Sequence, residues 1–212
     1  MKLRDAIGVS ATNQRRITRA MQLSLIGIVF VGLDRGNPGI VVNGTIAFGV
    51  TYVPALLERD YNLPMDSGLV LWMTLAAFLH AVGTLGPYQN VAWWDHVTHA
   101  LSSSLVAGAG YAFTRAVDEH SDDIAFPPRF SFALILLVVL AFGVFWEVLE
   151  FALSEAGNAL GQGGSVLTQY GLEDTIKDLV YNTLGGVIVA IWGTAYLADV
   201  ASAVRERFVS GE

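Results

Sequence analysis

The chain has 212 residues, of which 53% are hydrophobic and only 15% are charged. A soluble domain usually carries roughly 25% charged residues, so this composition argues against a soluble enzyme, a disordered chain and a nucleic-acid-binding protein. The formal net charge of −7 also opposes binding to a phosphate backbone. The chain has no Cys, which excludes disulfides, thiolate metal ligands and a cysteine nucleophile. Its acidic, Lys-poor and Arg-using composition suits a salt-loving organism.

Long stretches without Asp, Glu, Lys or Arg predict a single all-α membrane domain, 1–212, built as a bundle of six transmembrane helices. A helix needs about 20 mainly apolar residues to cross the hydrocarbon core of a bilayer. The first span reaches this length only when Ile17 and a snorkelling Arg19 are included. The predicted spans are 17–34, 38–57, 68–86, 96–115, 130–153 and 175–198.

The distribution of basic residues predicts the orientation of the bundle in the cell membrane. Lys and Arg accumulate in the short cytoplasmic loops of membrane proteins. With six spans, both termini lie on one side, which holds ten basic residues, whereas the other side holds only Arg35 and Lys177. Both termini are therefore expected in the cytoplasm. The ten are Lys2, Arg4, Arg15, Arg16, Arg19, Arg59, Arg115, Arg129, Arg205 and Arg207.

The loop over 154–174 is rich in Gly and is expected on the extracytoplasmic side. Its Gly161-Gln162-Gly163-Gly164 run lacks the spacing and the preceding strand of a dinucleotide-binding fingerprint. We interpret the loop as a flexible flap that could act as a lid.

Polar and ionisable residues lie within four of the predicted spans. The third and fifth spans run outward and the fourth and sixth run inward, so all these residues fall at a similar depth near the extracytoplasmic face. Such residues are costly in a bilayer and should face the interior of the bundle. They are His80 in the third span, Asp95, His96 and His99 in the fourth, Glu147 and Glu150 in the fifth, and Asp174, Asp178 and Asn182 in the sixth.

A divalent metal ion would balance the excess of acids in this cluster. His96 and His99, and likewise Glu147 and Glu150, are three residues apart and share a helix face. Imidazole and carboxylate ligands without thiolates favour Zn, Mn or Fe, while carboxylates and water also suit Mg. The predicted ligands are His96, His99, Glu147, Glu150 and Asp95. Asp174 or Asp178 would complete the ligand set or act as general base, with His80, Asn182 and Lys177 in support.

A purely structural interpretation stays open for several of these residues. Asp95 and Asp174 can act as first-turn acids or N-caps that contact water. His80 can be a hydrogen-bonded packing residue, and Lys177 can snorkel outward or pair with Asp174 or Glu173.

Three motifs in chain order resemble the YjdF family of small polytopic membrane proteins. They are Trp94-Asp95-His96-Val97-Thr98-His99, Phe145-Trp146-Glu147-Val148-Leu149-Glu150-Phe151, and Asp174-Thr175-Ile176-Lys177-Asp178-Leu179 followed by Asn182-Thr183-Leu184-Gly185-Gly186. The similarity covers roughly residues 70–195. The run from Asp178 to Gly186 also resembles, over a shorter length, the end of VanZ-like proteins. The resemblance implies a membrane-embedded helical bundle with this signature and implies no activity.

Three functions are compatible with these observations. The first is a metal-dependent hydrolase or transferase acting on a lipid or lipid-linked substrate, in which the ion activates water or polarises a phosphoryl or carbonyl oxygen. The second is a proton- or cation-coupled transporter. The third is a structural or accessory subunit whose polar cluster only joins helices. The lipid bilayer is the expected partner in all three, nucleic acid is not, and the oligomeric state is left open.

Overall fold

The computed structural model describes residues 9–120, 126–159, 171–192 and 202. All regular elements in these residues are helices, which confirms the all-α prediction. Most of the Gly-rich loop (160–170), the end of the sixth predicted span (193–198), Lys2, Arg4, Arg205 and Arg207 lie outside the described residues. The helices are α1 Ala11–Asp34, α2 Pro38–Val50, α3 Val53–Tyr61, α4 Ser67–Gly83, α5 Pro87–Asn90, α6 Trp94–His120, α7 Pro128–Ala159 and α8 Leu172–Trp192.

Local sequence signals explain where several helices begin. Side chains that accept hydrogen bonds from the first backbone N–H groups stabilise a helix start. Ser10 accepts from the N–H of Asn13 before α1, and Asn37 accepts from Ile40 before α2. Asp66 accepts from the N–H groups of Gly68 and Leu69 in the first turn of α4, at 2.8 and 2.9 Å.

Within the part of the chain that the structure describes, three helical stretches are long and apolar enough to cross a membrane. They are Ala11–Asp34, Pro38–Tyr61, which comprises α2 and α3, and Pro128–Ala159. The helix Ser67–Gly83 is apolar but shorter. This finding supports a membrane protein with several spans, whereas the number six stays a prediction.

The helices α7 and α8 expose apolar side chains and bury acids. On α7, Phe145 and Val148 are each 59% exposed, whereas Glu147 is 5% exposed. On α8, an exposed apolar stripe runs from Ile176 through Ile188, whereas Asp178 is 1% exposed. This pattern is the reverse of a water-soluble bundle, and it is the pattern expected when lipid surrounds the helices.

Two apolar clusters hold the helices together, and α4 contributes to both. The first cluster joins α1, α2 and α4 through buried residues that include Leu25, Ile40 and Ala81. The second joins α6, α7 and α8 through Ala107, Val139 and other apolar residues, with Trp72 of α4 packed against it. The fourth helix therefore connects the two halves of the bundle.

The helices α6 and α8 approach each other closely at Gly185. A Cβ atom at this position would overlap the carbonyl oxygen of Ala100 and the hydroxyl of Ser103. Small residues at helix contacts allow such close approach in membrane proteins. Since Ala100 follows His99 in the chain, this contact also fixes the distance between α6 and the acids of α8.

Candidate cation site

Asp95 and His99 of α6 and Asp178 of α8 come together near the helix contact described above. His99 Nε2 lies 3.5 Å from Asp95 Oδ1 and 3.8 Å from Asp178 Oδ1. One ligand atom from each residue lies within 4.8 Å of those of the other two. The i,i+4 spacing of Asp95 and His99 places both on one face of α6. Three atoms that could bind a metal ion, from two helices, therefore lie close together.

Asp178 is the most buried member of this group. Its Oδ1 atom is inaccessible to solvent and has no hydrogen-bond partner. A buried polar atom without a partner costs roughly 1–3 kcal/mol, and more if it is charged. A cation between Asp178 and His99 would remove this cost, because it would coordinate the orphaned oxygen.

The donor set fits a divalent metal ion. One imidazole and two carboxylates are the ligand types that Zn, Mn and Fe accept. Catalytic zinc sites commonly use three protein ligands and leave a further position for water or substrate. The group is therefore sufficient for an open site, in which the ion could lower the pKa of bound water or polarise a phosphoryl or carbonyl oxygen.

Glu147 and Glu150 of α7 face the same side of the bundle as this group. The Thr175 hydroxyl donates to Glu147 Oε2 at 2.9 Å, and the Trp146 indole N–H donates to Glu150 Oε1 at 2.9 Å. Asp95 and His99 lie near enough to Glu147 to interact with it electrostatically. The predicted acids of the fifth span thus lie beside the Asp95–His99–Asp178 group, which itself does not include them.

The other predicted site residues occupy different surroundings. His96 stacks on Tyr181 with ring centroids 4.2 Å apart and is not part of the three-residue group. Lys177 is half-exposed and pairs with Glu173 at 2.7 Å. Asn182 is buried against Gly143 of α7. Asp174 is half-buried in the first turn of α8, and its charge acts on Glu147 and Glu150.

His80 belongs to a separate hydrogen-bonded chain that reaches the candidate site. Asn43 donates its amide N–H to the carbonyl of Gly39, which turns Asn43 Oδ1 toward His80 Nε2 at 3.0 Å. His80 Nε2 must then carry the proton. His80 Nδ1 accepts from the Tyr88 hydroxyl at 2.7 Å, and this hydroxyl lies 3.5 Å from Thr98 on α6.

Tyr88 was not among the predicted site residues. Its ring packs on Gly83, where a Cβ would collide with it, and burial raises the pKa of its hydroxyl above the usual range. Tyr88 therefore stays protonated and acts as a hydrogen-bond donor. Asn43, a polar residue within an apolar stretch, is a signal that could have indicated this chain of contacts. Thr175 and Tyr181 carry no comparable sequence signal.

Comparison with known proteins places the chain in a family. Residues 17–199 match the family model described as "Predicted membrane protein (DUF2238)". The chain belongs to the DUF2238 family. DUF2238 membership agrees with the similarity to YjdF proteins, whereas the more distant likeness to VanZ-like proteins stays a prediction.

A relative of this DUF2238 protein occurs in Thermotoga maritima, where it is described as an uncharacterized protein. The two sequences are 26% identical over 136 residues, which is 63% of this chain and 66% of the relative. The chain therefore spans slightly less than two thirds of that relative. No solved structure matches the chain.

Proposed function

We propose that this protein binds a divalent cation within a transmembrane bundle, at the group formed by Asp95, His99 and Asp178. Two observations on this group carry the proposal together. One ligand atom from each residue lies within 4.8 Å of those of the other two, and Asp178 Oδ1 has no hydrogen-bond partner. Zn, Mn and Fe suit this ligand set, and Mg is an alternative. The family description supports the membrane location.

The proposed bundle has six spans, with the cation site near its extracytoplasmic face. Besides the apolar stretches, we count α6 and α8 as spans. They have 27 and 21 residues. At about 1.5 Å per residue both are long enough for a hydrocarbon core of about 30 Å. Asp95, His96 and His99 of α6 and Asp174 and Asp178 of α8 lower the hydropathy of these helices, and all five are buried or half-buried.

Cysteine labelling tests this topology, because the natural chain contains no Cys. Glu173→Cys and Glu58→Cys each place one thiol at an exposed position. We expect a membrane-impermeant maleimide to label Glu173→Cys in intact cells and Glu58→Cys only after permeabilisation. Labelling of both positions from outside, or only of Glu58→Cys, would contradict the proposed topology.

The chemistry that we propose for the ion is hydrolysis or group transfer on a lipid or lipid-linked substrate. An ion held by three protein ligands retains a position for water or a substrate oxygen. The site lies between helices whose outer faces are apolar, and the molecules that adjoin such helices in a membrane are lipids. Most of the Gly-rich loop that the sequence suggests as a cover lies outside the described residues.

A cation-coupled carrier is the second candidate, and one observation favours it. The hydroxyl of Thr74, on the same helix as His80, and the amide nitrogen of Gln14 are buried without hydrogen-bond partners. Ser67 donates to Gln14 Oε1 at 2.6 Å and lies on the same face of α4 as Thr74, about two turns away. Partly unsatisfied polar groups therefore continue along α4 toward the opposite end of the bundle, as a carrier pathway requires.

Proteoliposomes distinguish the two candidates. For the enzyme, we expect Mn²⁺-dependent release of a water-soluble product from phospholipid or isoprenoid-phosphate lipids, reduced at least about 100-fold by His99→Ala. Thr74→Val, which preserves shape, should leave this release unchanged. Mn²⁺ flux that both His99→Ala and Thr74→Val abolish, without lipid turnover, would instead establish the carrier.

A further inference from the structure

The two glutamates of α7 form a buried pair that the Asp95–His99–Asp178 group does not use. Glu147 and Glu150 are 5% and 9% exposed and lie one turn apart on the inward face of the helix. Phe145, Val148 and Phe151 cover the outward face and are all more than half exposed. The two glutamates therefore face the interior of the bundle, and the apolar face of α7 is directed outward.

One oxygen of this pair has no partner. Glu147 Oε2 accepts from Thr175, whereas Glu147 Oε1 is inaccessible to solvent and makes no hydrogen bond. Protonation of Oε1 would not solve the problem, because the new O–H would also need an acceptor. A bound cation would satisfy this oxygen directly.

The surrounding charges are predominantly negative. The carboxyl groups of Asp95 and Asp174 lie near enough to interact electrostatically with both glutamates, and Glu147 also interacts with Glu150. The basic residue of this part of α8, Lys177, pairs with exposed Glu173. With Asp178 included, five carboxyl groups lie in one region, and the Asp95–His99–Asp178 group uses only two of them.

We propose that Glu147 and Glu150 bind a second divalent cation, next to the one at Asp95, His99 and Asp178, so that α6, α7 and α8 together hold a two-cation centre. This inference rests on the proposed function. A ligand set of carboxylates and water selects hard cations such as Mn²⁺ and Mg²⁺. Centres with two such ions stabilise both the attacking and the leaving oxygen in phosphoryl displacement. The substrate class that fits is therefore a phosphate ester or diphosphate of a lipid.

The stoichiometry of bound Mn²⁺ tests the two-cation centre. Purified wild-type protein in lipid nanodiscs is titrated with Mn²⁺, and free Mn²⁺ is measured by electron paramagnetic resonance. We expect two bound ions per chain in the wild type and one in Glu147→Gln. The matched control is Glu155→Gln, an exposed position on the same helix, which should retain two ions.

The possible results distinguish failure of the second cation site from failure of the proposed first site. One ion in both the wild type and Glu147→Gln would overturn the second site and leave the first intact. Two ions in Glu147→Gln would likewise overturn it, and no ion in the wild type would refute the proposed function itself. If Glu147→Gln does not fold, Glu150→Gln and Thr175→Val replace it. These variants should weaken the second ion at least tenfold and leave the first unchanged, and an unchanged second ion in both would refute the inference.

Discussion

Replacement of Asp178 by Asn is expected to stabilise the cation-free protein and to remove the stabilisation that a cation at the Asp95–His99–Asp178 group provides. The buried Oδ1 of Asp178 has no hydrogen-bond partner and lies among other carboxylates. Asn cannot carry a negative charge beside these carboxylates, so the cation-free state of the variant should have the higher free energy of unfolding. A free cation concentration 100-fold above Kd should stabilise the wild type by about 2.7 kcal/mol through this site, and Asp178→Asn should lack this part of the response.

The order of the two proteins in thermal unfolding should therefore reverse between chelator and excess Mn²⁺. Measurements in detergent by tryptophan fluorescence would show Asp178→Asn above the wild type in chelator and below it in Mn²⁺. Glu173→Gln, an exposed acid on the same helix, should behave like the wild type in both conditions. If Asp178→Asn unfolds at a lower temperature in chelator and gains as much stability from Mn²⁺ as the wild type, Asp178 is a structural residue and not a ligand.

Replacement of Gly185 by Ala should destabilise the bundle and weaken the cation site together. The added Cβ would overlap a backbone oxygen of Ala100, which cannot rotate away as a side chain can. Overpacking of this kind costs typically about 1–3 kcal/mol. The separation of α6 and α8 would also move Asp178 away from His99, so we expect at least a tenfold loss in Mn²⁺ affinity.

Gly27→Ala is the matched control for this substitution. Gly27 lies within α1, and no atom of another residue lies within 4 Å of the Cβ that Ala would add. Thermal unfolding and Mn²⁺ titration of both variants distinguish the effect of the overlap between α6 and α8 from the effect of replacing Gly by Ala within a helix. Gly185→Ala with wild-type stability and affinity would show that the contact between α6 and α8 does not position the site.

The helical architecture and the inward position of the acids could be predicted from the sequence. Runs of apolar residues interrupted by Glu147 and Asp178 indicate helices in lipid, because such acids must turn inward. Helical periodicity could not decide between His96 and His99, however, since residues three apart on α6 share a face. The structure separates them because Tyr181 of the neighbouring helix stacks on His96, and such a contact depends on packing between helices.

Helical spacing could not show which acids lie next to His99. The spacing of Glu147 and Glu150 suggested ligands of the same ion as His99. In the structure, Asp95 and Asp178 are the acids nearest His99, because Gly185 lets α8 approach α6 directly. The contact of His80 with Asn43 and Tyr88 joins three elements, and no pattern along a single helix could reveal it.

The metal content of purified protein tests the central claim most directly. Wild type, His99→Ala and His96→Ala are purified without chelators, loaded with Zn²⁺ or Mn²⁺, freed of excess ion and analysed for bound metal. The account predicts at least one ion per chain in the wild type and in His96→Ala, and loss of the ion at the Asp95–His99–Asp178 site in folded His99→Ala. Absence of metal from the wild type after loading, or full retention in His99→Ala, would contradict it.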